Sequence, residues 1–213
     1  MRDSNKLKEL SVGEFTRAAE KYETDKAGIY KLCKQDYPDI LEEIEKESFH
    51  DLLDAGCGTA PMISLLSERF PDVNFTGIDL TPKMIEVAKS KNIPNTTFVC
   101  GDCESLPFEN DSFDVIVCSQ SFHHYPNPLA FMNSVRGCLR TGGRLILRDM
   151  SMGGGVIHWI VNHVELPILN RFGFGDVHVY SNKELQTLCD KAGLVLERCE
   201  KRGIKLHAVI RKK

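Results

Sequence analysis

A single tryptophan, no apolar run long enough to cross a bilayer and no large surplus of either charge set the first limits on this chain. Its 27 basic residues are scattered among 30 acidic ones for a net charge of -3, so no basic stripe can follow a phosphate backbone and no nucleic-acid partner is expected. The N-terminus, MRDSNKLKEL, has no apolar signal region, and the most apolar stretch, near Val156, is interrupted by His158, Asn162, His163 and Glu165. A cytoplasmic protein without a membrane span is the expectation. With 42% hydrophobic residues over 213 positions, there is enough for one well-buried core and no room for a second domain. Nothing in the pattern sets an oligomeric state.

Eight cysteines, at 33, 57, 100, 103, 118, 138, 189 and 199, fall mostly in apolar segments and are expected to be reduced thiols. No Cys/His set has zinc-finger spacing, and no metal is expected. Cys100-Gly101-Asp102-Cys103 has the spacing of a redox pair, but such a pair normally opens a helix, whereas Cys100 ends a strand-like run, TTFVCGD.

What is present begins at Asp54-Ala55-Gly56-Cys57-Gly58-Thr59-Ala60. Leu52 and Leu53 lead into it and MISLLSERF follows with helical spacing, so the glycines sit on a strand-to-helix turn where a side chain would block a ligand. Asp79 closes the next strand-like run, NFTGID, where a carboxylate can accept both hydroxyl hydrogens of a ribose. The third glycine of a dinucleotide turn is replaced by Pro61, which suits a helix start but donates no hydrogen bond. The turn therefore suits an adenine nucleoside without a pyrophosphate, and S-adenosylmethionine is such a ligand.

Strand-like runs near 51–56, 74–79, 97–101, 113–119 and 144–149 alternate with helical patterns near 61–70, 82–91 and 127–140, which implies a parallel sheet covered on both faces. SNKELQTLCDKAGL then carries a serine cap, Glu184 at the capping-box position and Gly193 at its end. LVLERCE and IKLHAVIRK follow, separated only by about Lys201-Arg202-Gly203, too short for a parallel crossover, so they form an antiparallel hairpin.

From about Leu52 to Met150, the blocks LLDAGCGTA, FTGIDLTPKMIEVAK and FVCGDCESLPFENDSFDVIVCSQSFHHYPNPLAFMNSVRGCLRTGGRLIL resemble the class I S-adenosylmethionine-dependent methyltransferases, in particular the small-molecule group related to quinone-biosynthesis enzymes. The resemblance implies a Rossmann-like α/β fold: a seven-stranded, mostly parallel sheet of order 3-2-1-4-5-7-6 with a terminal antiparallel hairpin. It also implies that the glycine turn, Gly56 and Gly58, holds the methionyl end, with Asp54 and Cys57 counted in the cofactor-binding set. Asp79 then takes the ribose and Asp102 the adenine amino group. Leu80 and Cys103 flank the adenine, with the Cys103 backbone a partner for a ring nitrogen, and Ser119 joins the cofactor-binding set. The family more often has glycine where Ala60 stands.

Residues 1–50 resemble the helical cover of such enzymes, with Phe15, Tyr22 and Tyr30 as candidates to line it; ordinary core packing is the alternative for each. Residues 51–150 form the cofactor core, 151–180 a lid insert, and 181–213 the last helix and hairpin. In the insert, Gly153-Gly154-Gly155 suggests a hinge and Val156 to Glu165 a short helix stopped near Pro167. Its His158, Asn162 and Glu165 stripe either faces an acceptor, with Ile157, Ile160, Val161 and Val164 packed inward, or is a solvated face.

Ser119-Gln120-Ser121-Phe122-His123-His124-Tyr125 occupies the loop after the fourth strand, where such sheets bind ligands. His123 and His124 either deprotonate or orient an acceptor, or are loop and cap residues. No Asp/Asn-Pro-Pro-Tyr sequence stands here, which argues against the familiar amino-methylating enzymes of adenine or glutamine. The reading is methyl transfer to a small organic acceptor. A non-catalytic cofactor-binding module, a nicotinamide oxidoreductase disfavoured by Pro61, and a thiol-dependent arsenic methyltransferase remain open at this point.

Overall fold

The computed structural model describes residues 4–24 and 28–213. Its centre is a sheet of β1 (Asp51–Ala55), β2 (Asn74–Asp79), β3 (Thr96–Cys100), β4 (Phe113–Ser119), β5 (Leu139–Met150), β6 (Val195–Arg202) and β7 (Lys205–Arg211). The strand order is β3-β2-β1-β4-β5-β7-β6, as the resemblance implied, with β1 to β5 parallel and β7 antiparallel to both neighbours. Lys201 and Arg202 belong to β6 rather than to the hairpin loop, so the turn is tighter than the sequence suggested.

Period-two alternation divides the central strands between two cores. Leu53, Ile116, Cys118, Leu145 and Leu147 pack under α6 (Pro128–Cys138) and α9 (Asn182–Ala192). Leu52, Val115, Val117 and Ile146 face the other layer, with α3 (Tyr37–Ile44), α4 (Pro61–Arg69) and α5 (Pro82–Ser90). The serine cap and Glu184 of α9 form the expected reciprocal box, and Gly193 ends the helix in the left-handed region.

Two earlier helices, α1 (Ser4–Ala18) and α2 (Gly28–Lys34), reach the carboxyl ends of the strands, where Lys8 and Phe15 of α1 and Cys33 of α2 line the cavities there. The cover is fastened through Asp36, which is fully buried and meets Arg148 at 3.0 Å, Lys205 at 2.7 Å and Gln120 at 2.6 Å.

The insert departs from expectation. Pro167 does not stop its helix: α7 (Val156–Ile160) runs through one π turn, Val161–Glu165, into α8 (Leu166–Leu169), whose first turn holds the proline. The widened turn gives the proline ring room against the preceding carbonyls. The helix is also rotated from the expected orientation. Ile157 and Ile160 are exposed, as is Val164, while His158 and Asn162 turn inward and only Val161 of the apolar set is buried. The reason is a polar anchor: Asn162 donates to the Val179 carbonyl at 3.0 Å and accepts from the Val179 N-H at 2.8 Å. Among the described residues, no helix is long and apolar enough to cross a membrane.

Candidate active site

The turn after β1 is pinned to β2, since the Gly56 and Cys57 N-H groups both donate to the Ile78 carbonyl, at 2.8 and 3.0 Å. Gly56 stands at φ +82, and a Cβ there would lie 2.0 Å from Ser121 Oγ, so no other residue fits. At Gly58, φ +54, a Cβ would meet only Tyr22 Cε1 at 3.9 Å, an ordinary van der Waals contact. Ala60 sits at φ +62, a left-handed conformation that costs an L-residue about 1–2 kcal/mol, which accounts for the family's glycine at this position. Asp79 holds the turn from β2: Oδ2 accepts from Gly58 N-H at 2.9 Å and Oδ1 from Thr81 N-H at 2.8 Å.

These groups open on a cavity of about 680 Å³ at the carboxyl ends of β1 to β4. Gly56, Gly58, Asp79, Leu80, Asp102, Cys103 and Ser119 all line it, so the sequence-derived set converges. Phe15 and Tyr22 close it from the cover, whereas Tyr30 lies behind Tyr22, 5.9 Å away ring to ring, and packs on the apolar cluster. Asp54 and Cys57 line a smaller recess that shares Tyr22, Gly56, Gly58 and Ser119 with the main cavity. Lys8 is a further lining residue, with Nζ 2.6 Å from Asp102 Oδ2 and a second contact to Glu104. Nothing in the pattern of α1 marks it, because its partner lies 94 positions away. All eight cysteines are free, Cys103 being buried and Cys100 exposed.

Two buried carboxyls, Asp54 and Asp79, stand beside the glycine turn. Burial, then the neighbouring charge of Asp79, pushes the Asp54 carboxyl up to about 7. Burial also raises Asp79, against the two backbone N-H groups that favour its charge. A ligand with an ammonium at the Asp54 end and a ribose near Asp79 fits both the charges and the glycine cradle, as S-adenosylmethionine does.

A second cavity, about 750 Å³, adjoins the first and shares Phe15, Tyr22, Gln120 and His124 with it. Phe15, Met150, Leu169 and Phe174 make its apolar wall, and Glu14, His123, His124 and Asp176 its polar end. None of His158, Asn162 or Glu165 lines it, so the insert meets this space through its distal part instead.

His123 is buried, with Nδ1 2.5 Å from Asp149 Oδ1 and its backbone N-H donating to Asp149 Oδ2 at 2.9 Å. Nε2 lies 3.4 Å from Asp176 Oδ1. Burial opposes charge on this ring, but Asp149 and Asp176 outweigh it and push the imidazole up to about 9. His124 goes the other way: burial and then the charge of His123 push it down to about 4. Its buried Nδ1 has no hydrogen-bond partner and lies 3.4 Å from Asp176 Oδ1. Sequence reasoning found both histidines but neither aspartate, since Asp149 and Asp176 come from β5 and the insert. A second cluster, His158, His178 and Glu184, lies outside this cavity.

A seven-stranded sheet of this order, with a glycine turn after β1 and an acid at the end of β2, is the architecture of the class I S-adenosylmethionine-dependent methyltransferases, and the chain belongs to that family. The methyltransferase domain family matches residues 53–147, and the cofactor is S-adenosylmethionine. The phthiotriol/phenolphthiotriol dimycocerosates methyltransferase of Mycobacterium leprae is 35% identical over 112 residues, 52% of this chain and 42% of that protein. The chain thus spans less than half the length of that relative. The demethylmenaquinone methyltransferase of Thermotoga maritima is 27% identical over 184 residues, 82% of this chain and 79% of that enzyme. Among solved structures, the YcgJ protein of Bacillus subtilis superposes with a TM-score of 0.68 at 30% identity, covering 79% of this chain and 71% of its own.

Proposed function

We propose that this protein transfers a methyl group from S-adenosylmethionine to a small organic acceptor held in the second cavity. The observation that carries the reading is the shared wall: Phe15, Tyr22, Gln120 and His124 border both spaces, so an acceptor there lies beside the reactive end of a cofactor held by the glycine turn. The bound cofactor supplies an electrophilic methyl on a good leaving group. The chain's own residues then need chiefly to align the two partners and exclude water. Phe15 and Phe174 supply apolar surface for the body of the acceptor. His124, kept neutral by burial and by the charge of His123, lies on the shared wall with its Nδ1 turned toward Asp176. His123, held charged between Asp149 and Asp176, does not serve as a proton acceptor near neutral pH and instead fixes the polar end of the cavity.

The demethylmenaquinone and phthiotriol methyltransferases act, by their names, on acceptors with oxygen on a carbon skeleton, which supports an acceptor of that kind. The insert serves as its lid, and eight free cysteines support a reducing, cytoplasmic setting. The test is a cofactor-consumption assay against a metabolite panel with product mass measured. A mass gain of one methyl group on one acceptor supports the reading; tight S-adenosylhomocysteine binding without turnover on any acceptor would support a non-catalytic binding module instead.

A further inference from the structure

At the polar end of the acceptor cavity two imidazole nitrogens and a carboxylate oxygen converge without a close hydrogen bond between them. His123 Nε2 and His124 Nδ1 each lie 3.4 Å from the same oxygen, Asp176 Oδ1. That is long for a charged hydrogen bond, which settles at about 2.7–2.9 Å. It is the separation of two ligands on one metal, since bonds of about 2.0–2.1 Å opened to a tetrahedral angle place neighbouring donor atoms about 3.4 Å apart. All three donor atoms lie within 4.8 Å of one another.

We propose that His123 Nε2, His124 Nδ1 and Asp176 bind a divalent first-row transition metal facing the acceptor cavity. The inference rests on the methyl-transfer reading and adds the substrate class. Three further observations point to a ligand. The His124 side chain is nine-tenths buried and its Nδ1 is directed at the cluster without a partner. Asp149 grips the far nitrogen of His123 at 2.5 Å and is itself held by the His123 and Met150 N-H groups, the carboxylate-histidine support that orients an imidazole toward a metal. Glu14 lines the same cavity and is fixed by the Gly175 N-H at 3.0 Å, which gives a second carboxylate within the site's field. Two imidazoles and a carboxylate leave coordination positions open, as in catalytic rather than structural sites. A metal there would take the place of the proton on His123 Nε2, which passes to water, and would bind a phenolic or enolic oxygen of the acceptor in its ionised form, the oxygen's proton likewise going to water.

Cobalt(II) tests this directly, because its visible absorption reports histidine ligation without any turnover. Chelator-treated full-length protein, free of any histidine tag, is titrated with Co(II) and then with Zn(II) as competitor. One Co(II) per chain, displaced by Zn(II), is expected. His124→Ala and Asp176→Asn each abolish the bands, and Asp149→Asn weakens binding by about 10–100-fold through loss of the support to His123. His178→Ala, in the other histidine cluster, leaves them unchanged. Calorimetry with S-adenosylhomocysteine on the same samples shows that each variant is folded and reads the cofactor site independently. Binding of S-adenosylhomocysteine with no Co(II) bands overturns the metal site and leaves the methyl-transfer reading standing, as do bands that survive His124→Ala or vanish in His178→Ala.

Discussion

Cofactor affinity is expected to depend on pH through Asp54. Burial, reinforced by Asp79, pushes this carboxyl up to about 7 in the free protein. The α-ammonium of a bound ligand favours the carboxylate and draws the group back toward its ordinary range. Below neutrality the free protein therefore holds a proton that the complex does not, so binding releases it and affinity rises with pH. With a free pKa near 7, the association constant gains about tenfold per unit well below that value, roughly fiftyfold between about pH 5 and pH 7, and levels off above about pH 8. That span is worth about 2.3 kcal/mol. Calorimetry with S-adenosylhomocysteine, which keeps the ammonium, measures it. Asp54→Asn should bind about ten- to a hundredfold weaker at about pH 8, the worth of a charged hydrogen bond, and should lose the slope. Stability runs in the opposite sense. A folded carboxyl pKa above the unfolded value means that the unliganded fold loses stability as pH rises from about 4 to about 7 and stays on the lower plateau above. Asp54→Asn should accordingly melt higher than the native protein at alkaline pH while binding worse. A native profile that is flat with pH, or a slope that survives in Asp54→Asn, refutes the assignment.

The two turn glycines should differ on substitution. Gly56→Ala brings Cβ to 2.0 Å from Ser121 Oγ in a left-handed backbone, whereas Gly58→Ala meets only the backbone strain; the first should lose about 2–5 kcal/mol in denaturant unfolding and the second about 1–2, and equal losses would contradict the geometry. Asp36→Ala removes the buried partner of Arg148 Nε, leaving that arginine only Asp39 at 2.6 Å, and should cost about 1–3 kcal/mol, read by chemical denaturation, with no measurable cost showing that the cover is not fastened there. If the insert is a lid, replacing Gly153 and Gly155, both at positive φ, by alanine should change turnover more than S-adenosylhomocysteine affinity, and hydrogen exchange across 156–174 should slow when product and acceptor bind together; unchanged turnover and exchange would make it fixed packing.

The cofactor half of the site was legible because its groups are tied to chain order. A strand, a glycine turn and a helix must follow one another for the backbone to fold sharply, and Asp79 ends β2 while Asp102 follows β3, the two successive strands on one side of β1, so each acid falls at a readable position at the same edge of the turn. Pro61 stands in the first turn of α4, as the absence of a pyrophosphate grip required. Lys8 and Tyr30 show where this stops. Both lie on cover helices whose partners are set by tertiary docking, and helical spacing alone does not say that Lys8 reaches Asp102 while Tyr30 stops behind Tyr22.

The insert shows why the acceptor half was harder to read. Amphipathic reasoning assumes that the apolar face of a helix packs inward, and from 156 to 164 that assumption fails because Asn162 satisfies both polar groups of the Val179 backbone in a buried setting. Leaving those groups unpaired would cost about 1–3 kcal/mol each, comparable to burying an isoleucine, so the polar anchor sets the rotation and the apolar residues are left outside. Val156, Ile157, Trp159 and Phe172 are consequently more than half exposed, 74%, 66%, 55% and 76%, on an insert whose distal end, through Leu169 and Phe174, forms the apolar wall of the acceptor cavity. An apolar surface continuous in sequence with an apolar cavity wall is consistent with an acceptor that has an apolar body, and the proposed metal cluster of the histidines and Asp176 would take its oxygen at the polar end. On the proposed reading the two ends of the cavity suit opposite ends of one amphipathic molecule, a constraint that neither the glycine turn nor the histidine loop carries by itself.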